Sequence, residues 1–368
     1  MDQERYSRQL ILKGFGTAAQ EKLGNSRVLV IGAGGLGCPI LQYLAAAGVG
    51  KIGIVDDDIV SLSNLHRQIL FDTSDIGRPK VEVAAQKLRT MNPDILIQEH
   101  QIRLAKNNIL NLLQDYHFVI DGTDNFESRY VINDACALLR KPLVFAAVSG
   151  FEGQLAIFNV ADKDGVATNY RDLFPIPPKN GEVQNCAESG VLGVLPGIIG
   201  TIAVAETIKL ITGIGKPLIN KLLHYDLLSH AQYELNISKG KNYDLPKSKT
   251  DFLMIDYNQA CTHPIVFEEI DVIQMQHLQE KEGALVIDVR EKHEFPILDK
   301  DVYQQVPMSE FNAFLQNNIT TENIVLLCQH GIRSVAAAEL LQEKYGNTKK
   351  IYSLKGGISK WRNHFLKR

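Results

Sequence analysis

A short β-branched run, Arg27-Val-Leu-Val-Ile31, leads straight into Gly32-Ala-Gly-Gly-Leu-Gly37, and Cys38 to Ala47 behind it has helical composition. A strand that turns on glycines into a helix leaves few folds open, because such glycines let the backbone approach phosphates at a helix N-terminus. Lys51-Ile-Gly-Ile-Val-Asp56 reads as the next strand, and Lys80 to Met91 as a helix with apolar Val81, Val83, Ala84, Ala85 and Leu88. Ile95-Leu-Ile-Gln98, Phe118-Val-Ile-Asp121 and Leu143-Val-Phe-Ala146 continue the pattern. Strands alternating with helices imply an α/β chain with a Rossmann-like, doubly wound, mainly parallel sheet.

The chain has 368 residues, enough for two domains. From Asn236 to about His263 the alternation gives way to a polar, Lys-rich stretch with Pro246, Ser248 and Pro264 beside it. This predicts a first domain over 1–240, a linker over 241–263 and a smaller α/β domain over 264–368. In the last, Leu285-Val-Ile-Asp288, Ile324-Val-Leu-Leu327 and Lys350-Ile-Tyr-Ser353 read as strands. Ser334 to Tyr345 reads as a helix, and Gly356-Gly357 precedes a closing helix near Trp361.

Charge narrows the partners: 39 Lys+Arg against 42 Asp+Glu give a net −3 with no long basic run, which argues against nucleic acid or an anionic membrane. The five cysteines, Cys38, Cys136, Cys186, Cys261 and Cys328, form no C-x-x-C pair, so a reducing compartment is expected. Met1-Asp2-Gln3-Glu4-Arg5 is acidic where a signal peptide is basic and then apolar. The apolar stretch Gly190 to Ala205 stops at Glu206, short of the ~20 residues of a membrane span. A cytoplasmic protein is the expectation.

The first candidate site gathers at strand ends. Gly32, Gly34, Gly35 and Gly37 form the turn, and Asp56, about 20 residues on, can accept hydrogen bonds from ribose hydroxyls. That much suits NAD as well as ATP. Asn64 and Arg67 in Ser61-Leu-Ser-Asn-Leu-His-Arg-Gln68, Lys80 at a helix start, and Asp124 and Asn125 in Asp121-Gly-Thr-Asp-Asn125 then follow. Arg67 and Lys80 supply positive charge for a triphosphate and Asp124 a carboxylate for Mg²⁺. One at a time, such charges are more commonly surface ion pairs. Together at the carboxyl ends of strands they favour a ligand site.

These motifs, with Arg5-Tyr-Ser-Arg8-Gln-Leu and Asp56-Asp-Asp58, resemble the ubiquitin-activating superfamily over about residues 1–240, closest to the molybdopterin-synthase and thiazole-pathway sulfur-carrier adenylyltransferases. The resemblance implies ATP-dependent adenylation of the C-terminal Gly-Gly carboxylate of a ubiquitin-like sulfur carrier. It implies that Gly35 and its neighbours approach the phosphates and Asp56 holds the ribose. Asn64, Arg67 and Lys80 would stabilise phosphate charge, and Asp124 would hold Mg²⁺. Arg8 matches an arginine that in this family reaches into a partner's site, which implies a homodimer. Cys186, in Gln184-Asn-Cys-Ala-Glu188, falls in the family's crossover loop, where some members use a cysteine covalently and others keep it without need. Many relatives bind zinc through two C-x-x-C pairs. Here the first place reads Asn169-Tyr-Arg-Asp172 and no cysteine lies between Asn236 and Leu245, so no zinc is expected and packing around Tyr170, Leu173 and Phe174 must replace it. Cys38 and Cys136 read as core residues.

The second candidate site is Cys328-Gln-His-Gly-Ile-Arg333 between a strand and a helix. Backbone N–H groups, Gly331, Arg333 and the helix N-terminus make such a loop a cradle for an anion. With Asp288-Val-Arg-Glu291, Gly356-Gly357-Ile358 and Trp361, it resembles the rhodanese fold over about 264–368, in which the cysteine carries sulfur as a persulfide. Related dual-specificity phosphatases have one more residue between Cys and Arg. The match departs after Phe295, where a Gly-His-Ile segment is missing. The joined halves imply sulfur transfer from a Cys328 persulfide to the adenylated carrier, giving a thiocarboxylate, with a persulfide donor such as a cysteine desulfurase upstream. A molybdenum-cofactor carrier is favoured, with thiazole (thiamine) or tRNA-thiolation carriers as alternatives. Outside that class stand an NAD-dependent oxidoreductase and a non-catalytic scaffold.

Overall fold

The computed structural model describes residues 3–175, 177, 190–240, 243–257, 267–292 and 294–365. They fall into two compact units, one ending at 257 and one beginning at 267. In the first, β1 (Arg27–Ile31), β2 (Lys51–Val55), β3 (Leu96–His100), β4 (Phe118–Asp121), β5 (Leu143–Ser149), β6 (Glu152–Phe158), β7 (Lys221–Asp226) and β8 (Gln232–Asn236) form one sheet, ordered β3-β2-β1-β4-β5-β6-β7-β8. β1 to β5 are mutually parallel, whereas β6, β7 and β8 add an antiparallel extension.

Side-chain alternation explains why β1 is apolar at every position after Arg27. Val28 and Val30 enter one core, beneath the helices Gly37–Ala47, Lys80–Met91 and Val194–Thr212, while Leu29 and Ile31 enter the other, beneath Phe126–Leu138. The chain runs outward from β1 to β3 and returns to β4 on the other side of β1. The crevice between β1 and β4 is therefore a switch point, the usual ligand position in an open α/β sheet.

Two expectations are corrected here. The apolar stretch does not stop at Glu206: the helix runs on to Thr212, and by its 19-residue length and composition it could cross a membrane. In this structure it packs on the Gly37–Ala47 helix and on β5 and β6, with Leu195, Ile199, Ala203 and Val204 buried. Glu206 is accommodated because it pairs with Lys209 and accepts from the Leu218 amide at 2.8 Å. The 241–263 stretch is not wholly a linker either. Ser248 caps the helix Lys249–Met254, Phe252 is buried, and the Tyr257 hydroxyl donates to buried Asp134 at 2.9 Å, so residues 243–257 pack on the first unit.

The second unit is a five-stranded, all-parallel sheet: β9 (Glu268–Ile270), β10 (Leu285–Asp288), β11 (Gln304–Gln305), β12 (Asn323–Leu327) and β13 (Lys350–Leu354), ordered β11-β10-β12-β13-β9. The central strand β12 is buried on both faces, Ile324 and Leu326 on one and Val325 and Leu327 on the other. It delivers Cys328 to the carboxyl end of the sheet.

Candidate functional sites

At the β1 end the backbone closes too tightly for side chains. Gly32 has φ +94°, and a Cβ on Gly37 would lie 2.0 Å from the Gly32 carbonyl oxygen. Asp56, at the end of β2, accepts from the Ala33 amide at 2.7 Å and the Asp58 amide at 2.9 Å, fixing the glycine turn against the second strand. Burial pushes its carboxyl above the ordinary value, opposed by Lys80 and by these two amides. Lys80 is itself buried, and its Nζ lies 2.8 Å from Asp58 Oδ2. The turn, Asp56 and Lys80 thus form one connected cluster.

Asn64 ends a short turn whose carbonyl accepts from the Arg67 and Gln68 amides at 3.1 and 3.0 Å. The Arg67 stem packs beside Gly35, where a Cβ would approach it to 3.3 Å. Its NH1 sits 2.9 Å from His66 Nε2. Arginine only donates, so His66 must present an unprotonated nitrogen. Burial and the Arg67 charge both hold the imidazole below its ordinary value. Gln68 is buried beside Gly34, and its Oε1 has no hydrogen-bond partner. On the β4 side, buried Asp121 accepts from the Thr123 amide and hydroxyl at 2.9 and 2.7 Å, shaping the loop that exposes Asp124. Asn125 accepts from the Ser128 amide at 2.9 Å and caps the Phe126–Leu138 helix. Arg8 is exposed on Ser7–Leu10; among the described residues no hydrogen bond or ion pair joins it to the turn.

A nucleotide fits this donor set: a glycine turn without Cβ atoms, a carboxylate at the second strand and two cations. For Mg²⁺, the carboxylates of Asp56, Asp57 and Asp58 come within 4.8 Å of one another, but Asp56 already serves two amides and Asp58 serves Lys80. Asp57 and Asp124 are left as the available acidic groups. Zinc does not fit residues 169–172. There the Asn169 amide nitrogen reaches Asp172 Oδ2 at 2.9 Å and the Tyr243 hydroxyl at 2.6 Å, Tyr243 also bonds Asp172, and the Gly240 amide donates to Asp172 at 2.6 Å. Burial and the Asp172 bond push the Tyr243 phenol up to about 12. A polar clasp thus joins two chain segments 68 or more residues apart, in addition to the expected packing of Tyr170 against Phe145, Phe158 and Phe174.

In the second unit Cys328 is buried, and the Gly331 amide points at its Sγ at 3.1 Å. Ser334 Oγ lies 3.6 Å from Sγ and is held by the Gly331 carbonyl and by Ser353. Gly356-Gly357 grips the loop from the next strand: Ile358 and Ser359 amides donate to the Cys328 and Gln329 carbonyls, each at 2.9 Å. A Cβ on Gly357 would strike Cys328 O at 2.4 Å. Arg333, expected in the cradle, is instead engaged by a carboxylate that sequence reasoning missed: NH1 and NH2 meet Glu294 Oε1 and Oε2 at 2.6 and 2.8 Å. Burial opposes ionisation of Glu294, yet the Arg333 bonds hold its carboxyl below the ordinary range. Arg290 is likewise paired with Asp288, at 3.0 and 2.7 Å, and its NH1 reaches Gln329 Oε1 at 3.3 Å. Trp361 Nε1 donates to the Lys355 carbonyl at 3.0 Å. Cys38 and Cys136 are buried core thiols, both pushed up by burial, Cys38 to about 12. Cys186 and Cys261 lie outside the described residues.

A glycine-turn nucleotide crevice on a doubly wound sheet, followed by a buried cysteine in a strand-to-helix loop, defines a two-domain α/β transferase. The ThiF family model matches residues 6–246 and the rhodanese-like domain model residues 271–364, and the chain belongs to the ThiF family, with a rhodanese-like domain. It is an enzyme of the adenylyltransferase and sulfurtransferase kind. Among its relatives, the probable adenylyltransferase/sulfurtransferase MoeZ of Mycobacterium tuberculosis is 40% identical, over 97% of this chain and 92% of the relative. The sulfur carrier protein adenylyltransferase of Thermus thermophilus is 45% identical over 70% and 96%. The adenylyltransferase and sulfurtransferase MOCS3 of Arabidopsis thaliana is 36% identical over 97% and 82%. Of solved structures, selenomethionine PaaA matches with a TM-score of 0.55 at 25% identity, covering 65% of this chain and 74% of that one. Escherichia coli MccB with ATP matches at 0.54 and 22%, covering 66% and 73%, a likeness of fold.

Proposed function

We propose that this enzyme adenylates the C-terminal glycine of a ubiquitin-like sulfur carrier, with a molybdopterin-synthase small subunit as first choice, and then moves sulfur from Cys328 onto the activated carboxyl. The observation that carries the reading is the pairing, in one chain, of the Gly32–Gly37 turn with its Asp56–Asp58–Lys80 cluster and a cysteine loop with an N–H aimed at sulfur. The related MoeZ, MOCS3 and sulfur-carrier adenylyltransferase proteins support it.

The nucleophile is a carboxylate, ionised at pH 7, so the first step needs no general base. One carboxylate oxygen attacks the α-phosphorus of ATP and pyrophosphate leaves. Arg67 and Lys80 offset charge on the phosphates, and the turn amides and Asp56 orient the nucleotide. Asp124 would hold Mg²⁺, which when bound would supply positive charge against the phosphates. For Lys80 the chemistry requires an exchange of partner, from Asp58 to phosphate. The outer sulfur of a Cys328 persulfide then attacks the acyl carbon and AMP leaves. A second thiol attacks Cys328 Sγ, the thiocarboxylate departs, and a disulfide remains; Cys186 is the candidate thiol.

We further propose that the enzyme works in the cytoplasm as a homodimer, loaded by a persulfide donor such as a cysteine desulfurase. The described cysteines are free thiols, and Ile11, Leu12, Leu62 and Ile69 are left exposed on the first unit, apolar surface that a second copy would cover. The test is carrier-dependent exchange of labelled pyrophosphate into ATP. Exchange with one Gly-Gly-ended carrier, lost at least about 100-fold in Asp124→Ala, supports adenylation and identifies the carrier. Absence of exchange with every carrier offered overturns it.

A further inference from the structure

The two arginines of the Cys328 site are both neutralised from within. Arg290 is tied to Asp288 through three N–H···O contacts between guanidinium and carboxylate, and Arg333 to Glu294 through two. Arg333 is 5% exposed, so no solvent shell competes for its charge. Among the described residues, the groups bonded to Sγ are neutral: the Gly331 amide donates to it, and the Ser334 hydroxyl, whose own proton goes to the Gly331 carbonyl, accepts from the thiol. One N–H dipole suits a singly charged persulfide sulfur. A compact dianion demands a net cation beside it, because shedding its hydration without one is costly. Immediately after Glu294 the chain presents Phe295 and Ile297, 75% and 66% exposed. That rim offers apolar surface where a small hydrated ion offers none in return.

We infer that Glu294 sets the donor specificity of the cysteine loop: by cancelling the charge of Arg333 it disfavours small sulfur dianions, represented by thiosulfate, and leaves Cys328 to take sulfur from an organic persulfide. This rests on reading Cys328 as the sulfur-carrying residue. Both donors give the same product without an oxidant. The Cys328 thiolate attacks the outer sulfur of thiosulfate, the S–S bond breaks and sulfite leaves with the electron pair. From a persulfide the leaving group is the donor's own thiolate.

The experiment follows addition of one sulfur atom to Cys328 by mass spectrometry in the full chain, with thiosulfate or cysteine persulfide as donor. Glu294→Gln keeps the shape and removes the negative charge. It is expected to raise the ratio of thiosulfate to cysteine-persulfide loading rates by at least about tenfold, the low end of what an uncancelled charge does for capture of a small counter-ion. The gain should shrink with added salt. The double variant Glu294→Gln/Arg333→Gln, neutral like the native pair, should lose it. An unchanged or lower ratio in Glu294→Gln, or a gain that survives in the double variant, overturns the inference. If the single variant does not fold, the double one still decides: a native ratio about tenfold above it would mean that Arg333 attracts the dianion despite Glu294. Failure of the native protein to load from either donor has a different meaning, since it removes the sulfur-carrying reading itself.

Discussion

Gly37 and His66 show how little latitude single residues have at the nucleotide crevice. A methyl at Gly37 would stand 2.0 Å from the Gly32 oxygen. Gly37→Ala must therefore open the turn, at roughly 2–4 kcal/mol in denaturant unfolding, with loss of pyrophosphate exchange. At His66 the expected effect is on pH dependence. Its folded value is lowered by burial and by Arg67, so the ring stays neutral down to below the ordinary ~6.5. As pH falls through that lowered value, protonation removes the acceptor for Arg67 and adds a like charge beside it. Acidification also costs the folded state here, because the unfolded chain binds that proton more readily. Exchange activity is expected to hold through pH ~6.5 and to fall only as pH drops through the lowered folded value, and His66→Gln, which keeps an acceptor, should flatten the acid limb. A limb of the same shape in His66→Gln would assign it to another group.

Among the elements, those that read clearly from sequence are buried on both faces. β1 and β12 are continuous apolar runs because each side of the strand meets a helical layer, and the glycine turn and cysteine loop follow them directly. β8 stayed hidden because all five of its residues are exposed, leaving only a weak alternation of Tyr233 and Leu235 among polar neighbours. Glu294 was illegible for another reason. Its partner Arg333 is 39 residues away, and nothing local distinguishes it from a surface carboxylate. The clasp of Asn169, Asp172 and Tyr243 was missed likewise, although the absent cysteines pointed to the place. Tyr243→Phe removes the hydroxyl that joins Asn169 and Asp172 and should lower stability by about 1–2 kcal/mol. A thermal melt of that variant matching the native protein would mean that aromatic packing alone holds the crossing.

The molecule as a whole joins two units, each with its own cores and its own site at the carboxyl ends of parallel strands. That division predicts separable chemistry. Cys328→Ala is expected to leave pyrophosphate exchange within about twofold of native while abolishing thiocarboxylate formation, because exchange needs only the first unit. Exchange lost together with sulfur transfer would show that adenylation depends on the cysteine. Prolonged treatment with a zinc chelator should leave the melting temperature unchanged, whereas proteins folded around zinc lose structure under it. A melting temperature several degrees lower after chelation would point to a metal in the fold.

The clasp also bears on how the chain comes to be usable. Its parts are two side-chain carboxyl and amide groups, one phenol and one backbone N–H, all encoded in the polypeptide. A crossing tied this way is complete as soon as residues 169 to 243 have met. Its two halves leave the ribosome 68 or more residues apart, so the crossing closes only after Tyr243 has been made.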